Sequence, residues 1–322
     1  MAGLAGCDGD GGSDAGMTGM DAGPAADAGS VSDSGGGTDA GSMDQDAGET
    51  MTDAGGPSCG TERPSIADIS GTEGLVIARD GTIYYSQSAA VGRMLPGGSP
   101  ENSWTSVGGS GTVWGLALNA ANDRLYVGVP GLGVRVIDLT AATPMATTVV
   151  TGGSPNGLTI GPDDALYYSD FNGGHVHRLT AGGSPSQVTT SPIASPNGVV
   201  FLPDGTLLVA QYAMPGALLR LTLSGGVETA REQFAAVPGA PDGLALDADG
   251  NVYVGSQTSM GGLLMFSPDG SSMMRIQMGI PFIANIEFGA GPLTCTDLYI
   301  TSSGVLQRYE AGTIAGAAVP WH

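Results

Sequence analysis

The stretch Pro241-Asp242-Gly243-Leu244-Ala245-Leu246-Asp247-Ala248-Asp249-Gly250-Asn251-Val252-Tyr253-Val254 runs from a polar entry into a short apolar strand, a turn and a second strand. Asp249-Gly250 supplies the turn, because an Asp-Gly pair tolerates the positive φ angles of tight hairpins. Val252-Tyr253-Val254 is rich in the residue types that fit a pleated sheet. The stretch therefore reads as a β-hairpin whose first strand is introduced by an acid.

The same pattern recurs on both sides of it. Gly74-Leu75-Val76-Ile77 is followed by Thr82-Ile83-Tyr84-Tyr85, Gly115-Leu116-Ala117-Leu118 by Arg124-Leu125-Tyr126-Val127, and Gly157-Leu158-Thr159-Ile160 by Ala165-Leu166-Tyr167-Tyr168. Gly198-Val199-Val200-Phe201 is followed by Thr206-Leu207-Leu208-Val209, and Asn285-Ile286-Glu287-Phe288 by Asp297-Leu298-Tyr299-Ile300. Third strands are predicted at Val91–Leu95, Gly133–Thr140, His175–Thr180, Leu218–Thr222, Leu263–Ser267 and Val305–Tyr309. A period of about 42 residues built from short strands, with no helical periodicity, points to propeller blades. Six such units give an all-β, six-bladed β-propeller with four-stranded antiparallel blades. The last unit runs out of chain after its third strand, so Ser65-Ile66-Ala67-Asp68-Ile69 is expected to close it as the outer strand, covering an edge that would otherwise be open.

Residues just before each inner strand meet at one mouth of a propeller's channel. Read down the chain, that position holds Glu73, Trp114, Asn156, Asn197, Asp242 and Asn285. Five of the six carry side-chain oxygens ahead of apolar strands, which suits a metal or polar ligand. A hard cation such as Ca²⁺ takes carboxylates and amide carbonyls together. Pro-Asn-Gly and Pro-Asp-Gly also make ordinary turns; their common register favours a site.

Composition divides the chain near residue 60. The first 62 residues hold 12 of the 31 acids and no basic residue, leaving 19 acids against ten arginines, and lysine is absent throughout. Nucleic-acid binding needs clustered basic residues, so that class is excluded. Residues 8–60, rich in Asp, Ala, Gly and Ser, are too apolar-poor to build a core and are expected to be a disordered tether, with the propeller over 61–322. At the start, Leu4-Ala5-Gly6-Cys7 resembles the lipobox of bacterial lipoproteins, which implies lipidation of Cys7 and attachment to the cell envelope; residues 1–7 then read as the remnant of a signal peptide. Two cysteines are left, and in an oxidising compartment Cys59 and Cys295 are expected to pair. Membrane contact is expected only through the lipid, and the propeller is expected to be a monomer.

Glu73-Gly74, Ser195-Pro196-Asn197-Gly198-Val199 with Pro203-Asp204-Gly205, the Pro241–Val254 stretch, and Asn285–Gly289 with Leu298-Tyr299-Ile300-Thr301 resemble the SMP-30/gluconolactonase/LRE-like family over residues 63–320. That family includes metal-dependent lactonases. The resemblance implies one divalent cation, Ca²⁺ first and Zn²⁺, Mn²⁺ or Mg²⁺ as alternatives, held by Glu73, Asn197 and Asp242. It further implies that Asp242 is the general base and that Asn156 touches substrate, with Trp114 and Asn285 beside it. Where the family's sugar lactonases carry an arginine and an acid around the blade-three asparagine, this chain has Ser154 and Gly157. The leading reading is an envelope-anchored lactone or ester hydrolase; the alternative is a non-catalytic surface propeller that binds a ligand or protein partner. His175 and His177 alternate on a third strand and are read as surface residues.

Overall fold

Each Gly-apolar segment becomes the innermost strand of an antiparallel sheet. These strands are Leu75–Ile77, Gly115–Leu118, Pro155–Ile160, Pro196–Phe201, Ala240–Leu246 and Ile283–Phe288, and each pairs with the strand after its hairpin turn. The three Asp-Gly turns place Gly81, Gly205 and Gly250 at φ of 83°, 81° and 81°, the left-handed conformation that glycine adopts without strain. Third strands begin within two residues of their predicted starts, at Ala90, Gly133, His175, Gly216, Leu263 and Val305. The computed structural model describes residues 59–70, 73–258, 262–310 and Gly316, and among these there is no helix. Each inner strand contacts the next, and the sixth returns to the first. The fold is a six-bladed β-propeller.

The core lies between blades rather than at one centre. Val200, Leu208, Leu244, Val254 and Phe266 fill the space between blades four and five, and Leu116, Leu125, Val127, Ala78 and Tyr84 that between blades one and two. Burying each large aliphatic side chain contributes about 1.5–3 kcal/mol, so six such layers hold the ring. The inner strands approach so closely that a Cβ on Gly115 would overlap the Asn156 carbonyl, and one on Gly198 the Asp242 carbonyl. The glycine after the mouth residue is therefore required by neighbouring backbone.

Among the described residues blade six has three strands of its own, and the N-terminal segment closes it only in part. Ser70 bridges Val305, and the Leu306 amide donates to the Ile69 carbonyl at 3.4 Å. Ser65–Ile69 is thus not the full outer strand expected. Pro64 has no amide to donate, and the Ile69 amide turns back to the Ile66 carbonyl at 3.1 Å, which bends the segment away from the sheet. Ile66 and Ile69 are buried instead against Leu75, Tyr85, Leu293 and Tyr299.

A second set of contacts bolts the same seam. Cys59 and Cys295 form a disulfide with their Cα atoms 5.4 Å apart. Glu62 bridges Leu293, and the Arg63 guanidinium donates from Nε to Asp297 Oδ2 at 2.7 Å and from Nη2 to Oδ1 at 3.1 Å. Arg308 stands 3.5 Å from the same carboxylate, which is fully buried. The tether and Cys7 lie outside the described residues.

Candidate active site

Backbone register fixes which residue of each blade stands at the mouth. Leu158, Val199, Leu244 and Ile286 occupy equivalent rungs opposite Tyr168, Val209, Val254 and Ile300. Counting back two residues gives Asn156, Asn197 and Asp242 in blades three to five, but Ala284 in blade six. Asn285 takes the place filled elsewhere by glycine: its amide donates to Thr301 Oγ1, as Gly157 donates to Ser169 Oγ, both at 2.9 Å. Its own Oδ1 accepts from the Ile286 amide at 2.9 Å. The mouth residues are therefore Glu73, Trp114, Asn156, Asn197, Asp242 and Ala284, with Asn285 one step down the channel wall.

Second-strand hydroxyls lock this ring. Ser86 Oγ accepts from the Glu73 and Gly74 amides at 2.6 and 2.9 Å. Ser169 Oγ donates to the Asn197 carbonyl and Thr301 Oγ1 to the Glu73 carbonyl, each at 2.7 Å. Ser86 ties the mouth of blade one to its own second strand, while Ser169 and Thr301 each join one blade to the next, so the mouth side chains project from a fixed frame.

Asn156, Asn197 and Asp242 are 7%, 3% and 4% exposed, and all three line a cavity of about 650 Å³ that runs down the channel. Gln257 Nε2 donates to Asp242 Oδ2 at 3.0 Å, and Tyr212 Oη donates to Gln257 Oε1 at 2.8 Å. Asn197 also hydrogen-bonds the Asp242 carboxyl. Burial pushes Asp242 up to about 8, and the neighbouring Glu73 carboxylate adds to the rise against those two amides. Burial alone carries Glu73 up to about 7. A buried and a half-buried acid thus face each other with no basic residue on the mouth among the described residues; the arginine lining the channel, Arg79, follows the inner strand of blade one and so sits at the opposite end.

This donor set fits a hard divalent cation. Among the described residues no three His, Cys, Asp or Glu side chains cluster as a metal site. The mouth offers two carboxylates and amide oxygens, the mixed oxygen shell that Ca²⁺ accepts. A cation there would offset the burial that raises both acids and the repulsion that adds to it at Asp242.

Three features were not foreseen from sequence. Gln257 and Tyr212 sit at the end of a second strand and in the loop after one, and no repeat marks them. Glu287 lines the channel on the inner strand of blade six, where the equivalent residues are Val76, Ala117, Thr159, Val200 and Ala245; burial pushes it up to about 8. A charged residue inside an otherwise apolar inner strand was the available signal. His175 and His177 lie away from the mouth: His175 Nδ1 is 2.9 Å from Thr189 Oγ1, and His177 stacks on Tyr168.

The fold and mouth define a class, the six-bladed propeller with an acid-and-amide ring at one end of its channel. The profile of the SMP-30/Gluconolactonase/LRE-like region family matches residues 71–304, and the chain belongs to that family. It is 32% identical over 139 residues to a 6-deoxy-6-sulfogluconolactonase of Pseudomonas putida, a match taking in 42% of this chain and 46% of that protein. The chain thus matches less than half the length of this curated relative. Among solved structures it is similar to a gluconolactonase from Xanthomonas campestris, with a TM-score of 0.63 and 21% identity over 78% of this chain and 88% of that one. It is similar also to regucalcin, a calcium-binding protein of Agrobacterium tumefaciens, with a TM-score of 0.61 and 17% identity over 79% and 92% of the two chains. At these identities the structural likenesses speak to the fold.

Proposed function

We propose that this chain hydrolyses a lactone or related ester at the channel mouth, with a divalent cation, Ca²⁺ foremost, held by Glu73, Asn197 and Asp242. The observation that carries this reading is the pairing of buried Asp242 with half-buried Glu73, with no basic side chain beside them among the described residues. Family membership and the likeness to a sulfosugar lactonase agree with it. When bound, such a cation supplies carbonyl polarisation and a lowered pKa for water.

The chain's own groups do the rest. Asp242 accepts a proton from the attacking water and returns it to the ring oxygen as the acyl–oxygen bond breaks, so lactone and water give a hydroxy acid. Gln257 holds Asp242 Oδ2, itself oriented by Tyr212, so the carboxyl cannot rotate freely. Asn156, next to Asn197 around the ring, donates to or accepts from the substrate. The Asn197 amide keeps its carbonyl available for the cation while its N–H₂ serves Asp242.

A panel of lactones and esters with added Ca²⁺, Zn²⁺, Mn²⁺ or Mg²⁺, on wild type and Asp242→Ala, tests the reading. Metal-dependent turnover lost in the variant supports it. Cation binding without turnover on any substrate leaves a ligand-binding propeller instead. We also propose that Cys7 carries the lipid that tethers the propeller to a bacterial envelope; Cys7→Ser should then move the protein from the membrane to the soluble fraction, and unchanged fractionation would remove the anchor.

A further inference from the structure

Above the acid-and-amide ring the mouth is walled by aromatic side chains from three consecutive blades. Trp114 of blade two meets Phe171 edge-on, with centroids 6.0 Å apart and planes at 83°, and Phe171 meets Tyr212 at 5.6 Å and 65°. Phe171 and Tyr212 come from the loops after the second strands of blades three and four, on the same side of the ring as the residues that open the inner strands. All three rings are half-buried, so each leaves part of its surface open. Tyr212 stands close enough to the ring for both Asp242 and Glu73 to act on its hydroxyl. Further round the rim, Met214 and Phe282 are 72% and 47% exposed.

The polar groups beside Phe171 are engaged with one another. Ser154 Oγ accepts from Asn172 Nδ2 at 2.8 Å, and Asp170 Oδ1 accepts from the Ser154 and Gly173 amides at 2.8 and 3.0 Å. No arginine lines the mouth, and the chain has no lysine. An anionic substituent seated against the aromatic side chains would therefore meet no basic side chain. A polyhydroxylated one would lose water against aromatic faces and edges without regaining its hydrogen bonds.

Resting on the lactonase reading above, we propose that the substrate is a neutral lactone or ester bearing an apolar, aromatic substituent, seated against the Trp114–Phe171–Tyr212 arc while its carbonyl lies at the ring. Edge-to-face and offset contacts with three rings favour a flat group over a flexible polar one. Trp114 belongs to both surfaces, since it stands in the ring and opens the arc. It is the specificity residue that links them.

The test compares substrates with the same reacting bond. γ-Phenyl-γ-butyrolactone should exceed γ-butyrolactone in kcat/KM by about tenfold or more, and D-glucono-δ-lactone by a larger factor. Trp114→Ala and the milder Phe171→Leu, which keeps an apolar side chain, should each bring the phenyl preference down severalfold, with thermal unfolding checking that both variants fold. Binding is read separately by calorimetry with 5-phenyl-2-pyrrolidinone and 2-pyrrolidinone, lactams of the same shape that resist hydrolysis. A phenyl preference in lactam binding without turnover of any lactone would sink the hydrolase reading and keep the aromatic subsite. Equal affinity for the two lactams, a preference for the gluconolactone, or a phenyl preference untouched by both substitutions would overturn the subsite.

Discussion

Two buried aspartates in this propeller live in opposite company. Asp297, at the seam, is gripped by Arg63 at 2.7 Å and approached by Arg308 at 3.5 Å. Asp242, at the mouth, has two amides and a second carboxylate, and burial raises it to about 8. A carboxylate buried with guanidinium partners is structural, because removing either side leaves an uncompensated charge. One buried beside another acid raises the free energy of its ionised form until something positive arrives. The chain places arginine where the ring closes and keeps it from the place where a cation or a substrate would sit.

Substitution separates the two most strongly. Asp242→Ala is expected to lower kcat/KM by about 10³-fold or more, because it removes both the base and a proposed cation ligand. The same change should leave the metal-free protein no less stable. Asp297→Ala should do the reverse, costing about 2–3 kcal/mol in denaturant unfolding, a figure discounted because Arg63 is 41% exposed. Cys295→Ser attacks the seam by another route: loss of a bridge spanning 236 residues should cost about 2–5 kcal/mol. Turnover by the surviving folded protein should be unchanged, and a fall in kcat at full folding would show that the seam and mouth are coupled.

Acidity sharpens the contrast further. Glu73, Asp242 and Glu287 are raised to about 7, 8 and 8 in the folded state, above their ordinary values. The folded protein therefore binds more protons than the unfolded chain between about pH 5 and 8. The stability that these three groups contribute to the metal-free protein is fully present below pH 4 to 5 and is lost as pH rises through 7 to 8. Thermal unfolding across that range checks it, and saturating Ca²⁺ should flatten the slope, since cation and proton compete for the same oxygens. The smallest effect is expected at Gln257→Leu. Losing one hydrogen bond to the Asp242 carboxyl should reduce kcat/KM by about tenfold with cation binding retained.

The blades were legible because their signal is redundant: the glycine after each mouth residue is required by the neighbouring carbonyl, and the Asp-Gly turns set the hairpins. Where one of those marks is missing, the reading slipped. Blade six puts Asn285 in the glycine position, so its oxygen-bearing side chain stands one place after the ring position, and only the pairing of Ile286 with Ile300 identifies Ala284 as the ring's member. The closing segment was placed at the right edge, but Pro64 and the Ile66–Ile69 turn shorten it to a bridge at Ser70. Gln257, Tyr212 and Phe171 were invisible for a different reason. They stand at strand ends and in loops, where position relative to the channel depends on how blades tilt and not on any periodicity in the chain.

Calorimetric titration of the metal-free protein with Ca²⁺ at pH 8, on wild type, Glu73→Gln and Asp242→Asn, tests the central claim most directly. One site per chain is predicted in the wild type, with affinity that weakens as pH falls below about 7 and is lost in both variants. No binding in the wild type, or binding that survives in both variants, would contradict the claim that the acid pair at the mouth exists to hold a cation.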